Sequence, residues 1–155
     1  MFCDPAADVR AAHGLPPGGV VLASFNSANK QDPNMFWLWM RLLLRLPHAV
    51  LWFVLPPGDD AAAAMRNIVR EARASGVHES RIVFAPHMAR SEHLARYQLV
   101  DLFLDSHLYT AHSTAADCLW GGAPVVTAPS DTFQVCVCVF VCLCVCVFAW
   151  VCVRV

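Results

Sequence analysis

A doubly wound α/β domain, with a parallel sheet covered by helices on both faces, is the fold class that these 155 residues predict. Three observations carry it. Short apolar runs alternate with helix patterns along the chain, as in successive βαβ units. The runs are continuously apolar, as expected of strands covered on both faces. Caps, prolines and glycines punctuate the segments between them. In such a sheet, ligands bind at the carboxyl ends of the strands.

The elements follow in order. Pro16-Pro17-Gly18-Gly19 is a turn signal, and 20–25 (VVLASF) is the first strand. A polar loop, Asn26 to Lys30, comes next. Asp32 offers an N-cap and Pro33 the first helical position, so a helix is predicted from Pro33 to about Leu46, ended by Pro47. Phe36, Trp37, Met40, Leu43 and Leu44 make its broad apolar face. The second strand is 49–55 (AVLWFVL), stopped by Pro56-Pro57-Gly58. Asp59-Asp60 introduces a helix over 61–74, with Gly76 near its C-cap. Residues 81–84 are the third strand, and Ser91 is read as capping a helix that reaches about Leu99. A short strand at 102–104, a helix over 113–120 closed by Gly121-Gly122, and a strand at 124–127 complete the pattern. The loops at the carboxyl ends hold Lys30, His87 to His93, and Tyr109 to Thr114.

Bulk properties exclude some functions. The net charge is −1, so nothing points to nucleic acid or an anionic membrane surface. The first residues contain no apolar run of signal-peptide type. Hydrophobic residues make up 57%, above the usual range of about 45–50%. Much of the excess lies in Val135–Val155, which holds six of the eight cysteines. The remaining two, Cys3 and Cys118, fit a reducing compartment. Val135 to Val153 is uncharged and long enough for a membrane span. A compositional origin fits better, because a repeated GT dinucleotide translates as Val-Cys. Valines there hold only odd positions and cysteines only even ones. Each exception, such as Phe140, Leu143 or Trp150, is one base from the expected codon. A metal site in the tail is not expected, since no histidine or partner cluster accompanies the cysteines.

The motif that carries chemistry is His112-Ser113-Thr114-Ala115-Ala116-Asp117, which follows a strand and opens a helix. A helix start offers unpaired N–H groups and partial positive charge, suited to a diphosphate. Ser113 and Thr114 add hydroxyls, His112 an imidazole, and Asp117 a carboxylate that could accept from a ribose. The block reads as part of a nucleotide-sugar site.

With these residues, others complete an ordered set. Phe25-Asn26 with Lys30 and Asp32-Pro33, then 81–86 (RIVFAP), Glu92-His93, Leu104-Asp105, and 112–127 (HSTAADCLWGGAPVVT) resemble the protein O-GlcNAc transferases. The plant SPINDLY-type O-fucosyltransferases share much of this pattern. The resemblance covers about residues 14–133. It implies a GT-B fold of two Rossmann-like lobes, of which this chain matches the C-terminal, donor-binding half. The family's helical repeats and N-terminal lobe lie outside the match. The expected organisation is therefore an N-terminal extension (1–13), a nucleotide-sugar-binding lobe (14–133) and a low-complexity tail (134–155).

The resemblance also assigns roles. Lys30 corresponds to the lysine that contacts the diphosphate and stabilises the leaving group, the one catalytic assignment. His112, Ser113 and Thr114 correspond to the phosphate-binding helix start, Asp117 to the ribose acid, and Met88, Arg90, His93 and Arg96 to the uridine side. Several positions depart from the family. Ser113 replaces a threonine, Arg90 a lysine, Met88 a small residue, and Ser27 a glutamine. The implied activity is transfer of N-acetylglucosamine from UDP-GlcNAc to Ser or Thr of acceptor proteins, without metal or other cofactor, in the cytoplasm or nucleus. The membrane enters only through the tail. Two alternatives are a non-catalytic nucleotide-sugar-binding lobe, since half a cleft should transfer little by itself, and GDP-fucose as donor.

Blander readings accompany these. Arg96 could pair with Glu92 four positions earlier on a helix surface. Asp105 reads as a brace at a strand end, and Phe36, Trp37, Trp39 and Trp52 as core. Cys118 reads as a small buried residue, and His107 with His112 lacks a third metal ligand.

Overall fold

The computed structural model describes residues 5–58 and 60–128; Asp59 and the Val/Cys tail, with the readings made of it, lie outside the described residues. Five strands form one parallel sheet: β1 (Val20–Ser24), β2 (Ala49–Val54), β3 (Ile82–Ala85), β4 (Leu102–Leu104) and β5 (Val125–Val126), in the order β3-β2-β1-β4-β5. The predicted doubly wound sheet is the one observed. The chain moves outward from β1 to β3, then crosses back to place β4 on the other side of β1. The point between β1 and β4 is where loops part to opposite sides and leave a crevice.

Five α-helices are described: α1 (Pro5–Ala12), α2 (Pro33–Arg45), α3 (Asp60–Ala74), α4 (Arg90–Ala95) and α5 (Ser113–Trp120). Helix α2 starts as the sequence predicts, with Asp32 accepting from the Met35 N–H at 3.0 Å and Pro33 in the first turn. Three differences have physical reasons. Helix α1, within the segment assigned as an extension, has a weak apolar stripe; Arg10 docks it by donating to the Gly19 carbonyl and pairing with Asp101 at 3.3 Å. The third strand begins one residue late, because Glu79–Arg81 form a 3-10 turn before it. Ser91 lies inside α4 rather than capping it. The N-cap is Ala89, without a side-chain bond, and the helix tightens into a 3-10 turn over Arg96–Leu99.

The strands bury alternate residues on opposite faces. Val21, Ala23, Val50, Trp52 and Phe103 pack with Tyr97, Ala115 and Cys118 on one side. Leu22, Leu51, Phe53 and Ile82 pack with Trp39, Met40, Leu43 and Ala72 on the other. Trp37 is an exception to the core reading: it is 56% exposed, with the Arg41 guanidinium 4.8 Å from its ring. Gly19 sits at φ 96°, and a Cβ there would lie 2.2 Å from the His48 carbonyl, so glycine is needed where β1 enters beside β2.

Candidate functional site

Two segments face each other across the switch point. After β1 the chain makes a 3-10 turn, Ala28–Lys30, that carries Lys30 at its end. After β4 it runs through a loop into α5. Lys30 Nζ bridges them, donating to the Thr110 carbonyl at 3.3 Å and lying 4.4 Å from the centre of the Tyr109 ring. A positive charge is thereby held against the entry to α5.

The start of α5 is left open to a ligand. His112 is its N-cap and makes no side-chain capping bond. The N–H groups of the first turn have no helical carbonyl to donate to. His112 Nε2 is buried without a hydrogen-bond partner, and its ring packs 5.5 Å from Tyr109. Ser113 is exposed and Thr114 half-buried at the first turn. Gly121 lets the far end of α5 settle on the 3-10 turn, because a Cβ there would meet Tyr97 Cβ at 2.4 Å.

Beside this lies a cleft of about 430 Å³, lined by Phe25, Asn26, Pro86, Met88, Arg90, His93 and Arg96, among others. Met88 is half-buried in its wall. Arg90 reaches from α4 to Asp117 on α5, donating to Oδ1 at 2.8 Å and to Oδ2 at 3.3 Å. Two residues assigned separately to the base and ribose sides are thus ion-paired. The arginine is exposed and the carboxylate mostly covered. His93 packs between Phe25 and Tyr97 at 5.7 and 5.2 Å. Burial, reinforced by Arg96, holds its pKa below the ordinary value.

Arg96 is 1% exposed. Its guanidinium donates to the Pro86 carbonyl at 3.2 and 3.3 Å and lies 5.7 Å from the Phe25 ring, which replaces the surface-pair reading. Burial lowers its pKa and raises that of Tyr97, whose hydroxyl lies 3.4 Å from His93 Nε2.

Three buried polar residues near the cleft received no role from the sequence. Asn26, Ser106 and Thr110 are buried polar side chains at the carboxyl ends of β1 and β4. Only Asn26 carried a signal, a polar residue directly after the continuous apolar run at 20–25; Ser106 and Thr110 lie further into the loop after β4. Asp105 braces the strand end as read, accepting from Asn26 Nδ2 and Thr127 Oγ1, each at 2.8 Å. Cys118 is a fully buried thiol that donates to the Ala123 carbonyl at 3.4 Å. Among the described residues, no group of three or more His, Cys, Asp or Glu could hold a metal ion, and no helix is long and apolar enough to cross a membrane.

Lys30 and the start of α5 therefore lie beside the cleft that holds Arg90 and His93, and the Arg90–Asp117 pair ties the two together. That set can hold a diphosphate and its ribose. The chain also resembles known proteins. The description of glycosyl transferase family 41 matches residues 4–152. Over 134 residues the chain is 36% identical to the probable UDP-N-acetylglucosamine–peptide N-acetylglucosaminyltransferase SEC of Arabidopsis thaliana, a match covering 86% of this chain and 13% of that protein. It is 35% identical over 123 residues to the UDP-N-acetylglucosamine–peptide N-acetylglucosaminyltransferase of Caenorhabditis elegans, covering 79% of this chain and 10% of that protein. A mutant O-GlcNAc transferase of Thermobaculum terrenum superposes with a TM-score of 0.68 at 28% identity, over 75% of this chain and 22% of that one. The chain thus spans 13% or less of the length of the two sequence relatives.

Proposed function

The chain belongs to glycosyl transferase family 41, and on that premise we propose that its cleft is the donor site of a protein O-GlcNAc transferase. The donor is UDP-GlcNAc, and the acceptors are Ser and Thr hydroxyls of proteins. In Rossmann-like terms this is the C-terminal, nucleotide-holding half of a GT-B enzyme. One observation carries the reading: Lys30 and the open first turn of α5 converge across the switch point, through the Thr110 carbonyl.

In the reaction the acceptor hydroxyl oxygen attacks the anomeric carbon and releases its proton to solvent, and the bond to the β-phosphate oxygen breaks. Negative charge grows on the departing diphosphate. Lys30 supplies a fixed positive charge there, and the N–H groups of α5 with Ser113 and Thr114 supply donors. This makes the chemistry independent of a metal. Asp117 accepts from the ribose; a carboxylate has lone pairs enough to keep Arg90 as well. Met88, Arg90, His93 and Arg96 shape the base side. The setting is the cytoplasm or nucleus.

Calorimetric titration of the full chain with UDP, GDP and UDP-GlcNAc tests this. Tighter binding of UDP than of GDP is expected, with UDP-GlcNAc competing for the same site. Preference for GDP would move the assignment to the fucose-using branch. Absence of binding to either nucleotide would overturn the donor site itself.

A further inference from the structure

Asp105 stands immediately after β4 and is 3% exposed. Its Oδ1 accepts from Asn26 Nδ2 and from the backbone N–H groups of Ser106 and Ala111, each at 2.8 Å. Its Oδ2 accepts from Thr127 Oγ1. Asn26 Nδ2 also reaches Ser106 Oγ at 2.9 Å, and that hydroxyl donates to the Tyr109 carbonyl at 2.8 Å. One carboxylate therefore fastens the turn after β1, both ends of the loop after β4, and the exit of β5. A buried charge satisfied by several N–H and O–H donors is held in a narrow geometry, because each lost donor leaves it uncompensated.

The fastened segments are the ones that bear the diphosphate groups. Lys30 lies four residues beyond Asn26, and His112 one beyond Ala111. We propose that Asp105 is a positioning residue for the diphosphate half of the site: through Asn26 and the Ala111 N–H it sets the gap between Lys30 and the first turn of α5. The inference rests on the donor reading above. Asp105 lies under the crevice and touches no ligand itself. Its effect is on the phosphates, whose two holders stand on separate segments, and not on the nucleoside, whose walls come from Met88, Arg90 and His93.

The test compares UDP with uridine, which lacks the phosphates, on the full chain carrying Asp105→Ala, Asp105→Asn or Asn26→Ala. Calorimetry reads UDP and ligand-observed NMR reads uridine. Asp105→Ala is expected to weaken UDP by about ten-fold or more and uridine by less than about two-fold, the scale of one charge-assisted hydrogen bond lost at the phosphates alone. Asp105→Asn keeps an acceptor for both backbone donors and should recover most of the UDP affinity. Asn26→Ala leaves the carboxylate and its backbone bonds in place; because Asn26 also lines the cleft, uridine weakens too, but the UDP loss should exceed the uridine loss, even if Asp105→Ala does not fold. Equal weakening of UDP and uridine, or no change in folded Asn26→Ala, overturns the positioning role. Failure of the unsubstituted chain to bind UDP instead removes the donor reading and this inference with it.

Discussion

The two ends of the sheet use charge in opposite ways. At the amino end, Arg81 donates to the carbonyls of Leu43 and Ala49 at 2.9 Å and also to that of Leu46, closing the C-terminus of α2. Asp101 accepts from the Val21 N–H at 2.7 Å and from Arg10. These charges serve the protein's own backbone. At the carboxyl end, buried side-chain atoms are left without partners: Ser24 Oγ, Asn26 Oδ1, Asp32 Oδ2, Arg96 Nε, Thr110 Oγ1 and His112 Nε2. Among the described residues only Trp52 Nε1, inside β2, shares that condition elsewhere. Buried polar atoms ordinarily find partners, so their gathering at one end fits the donor site proposed above. Two aspartates flanking a three-residue strand differ in exposure, though both accept from backbone N–H groups. Asp101, before β4, is exposed in an ion pair, and Asp105, after it, is sealed.

Removing a charge from each end separates the two uses. Lys30→Ala should weaken UDP by about 30-fold, the worth of one charged hydrogen bond to phosphate, with the melting temperature nearly unchanged. A parallel loss of melting temperature would break the contrast. Arg81→Ala should do the reverse. It strips donors from helix-end carbonyls and is expected to cost about 2 kcal/mol in denaturant unfolding, with UDP affinity retained. The smallest effect is a pH dependence. His93 and His13 both have pKa values lowered from 6.5, by burial first and Arg96 second. The unfolded chain therefore takes up protons that the folded chain resists, and stability falls as pH drops below about 6.5. Melting scans from pH 7.5 to 5, at intervals of about half a unit across that titration range, should show the decline. His93→Gln should flatten part of it, and an unchanged slope would show that burial of His93 does not set the dependence.

Much of the fold was legible because strands covered on both faces must be continuously apolar. The runs at 20–25, 49–55 and 102–104 therefore announced β1, β2 and β4 to within a residue. Caps were legible where a side chain makes them, as at Asp32, and misleading where backbone geometry does, as at Ala89. Helix α1 escaped because its own apolar stripe is weak and its Arg10 contact with Asp101, ninety-one positions away, is not visible in the local sequence. The site divided the same way. Residues on one local motif, His112 to Asp117, could be read together, since helix geometry fixes their relation. The pairing of Arg90 with Asp117, the packing of Arg96 on Phe25 and the hub at Asp105 join segments that lie far apart in sequence.

The alternation in β2 also bears on how such a chain can vary over generations. Val50 and Trp52 serve one core, and Leu51 and Phe53 the other. Exchanging one apolar residue for another disturbs one side only. Inserting or deleting a single residue within the strand would turn every later side chain to the opposite face and exchange the two cores' contents at once. Lineages should therefore accumulate substitutions in this strand freely while confining length changes to the loops, and an alignment of natural variants should be gapless from Ala49 to Val54.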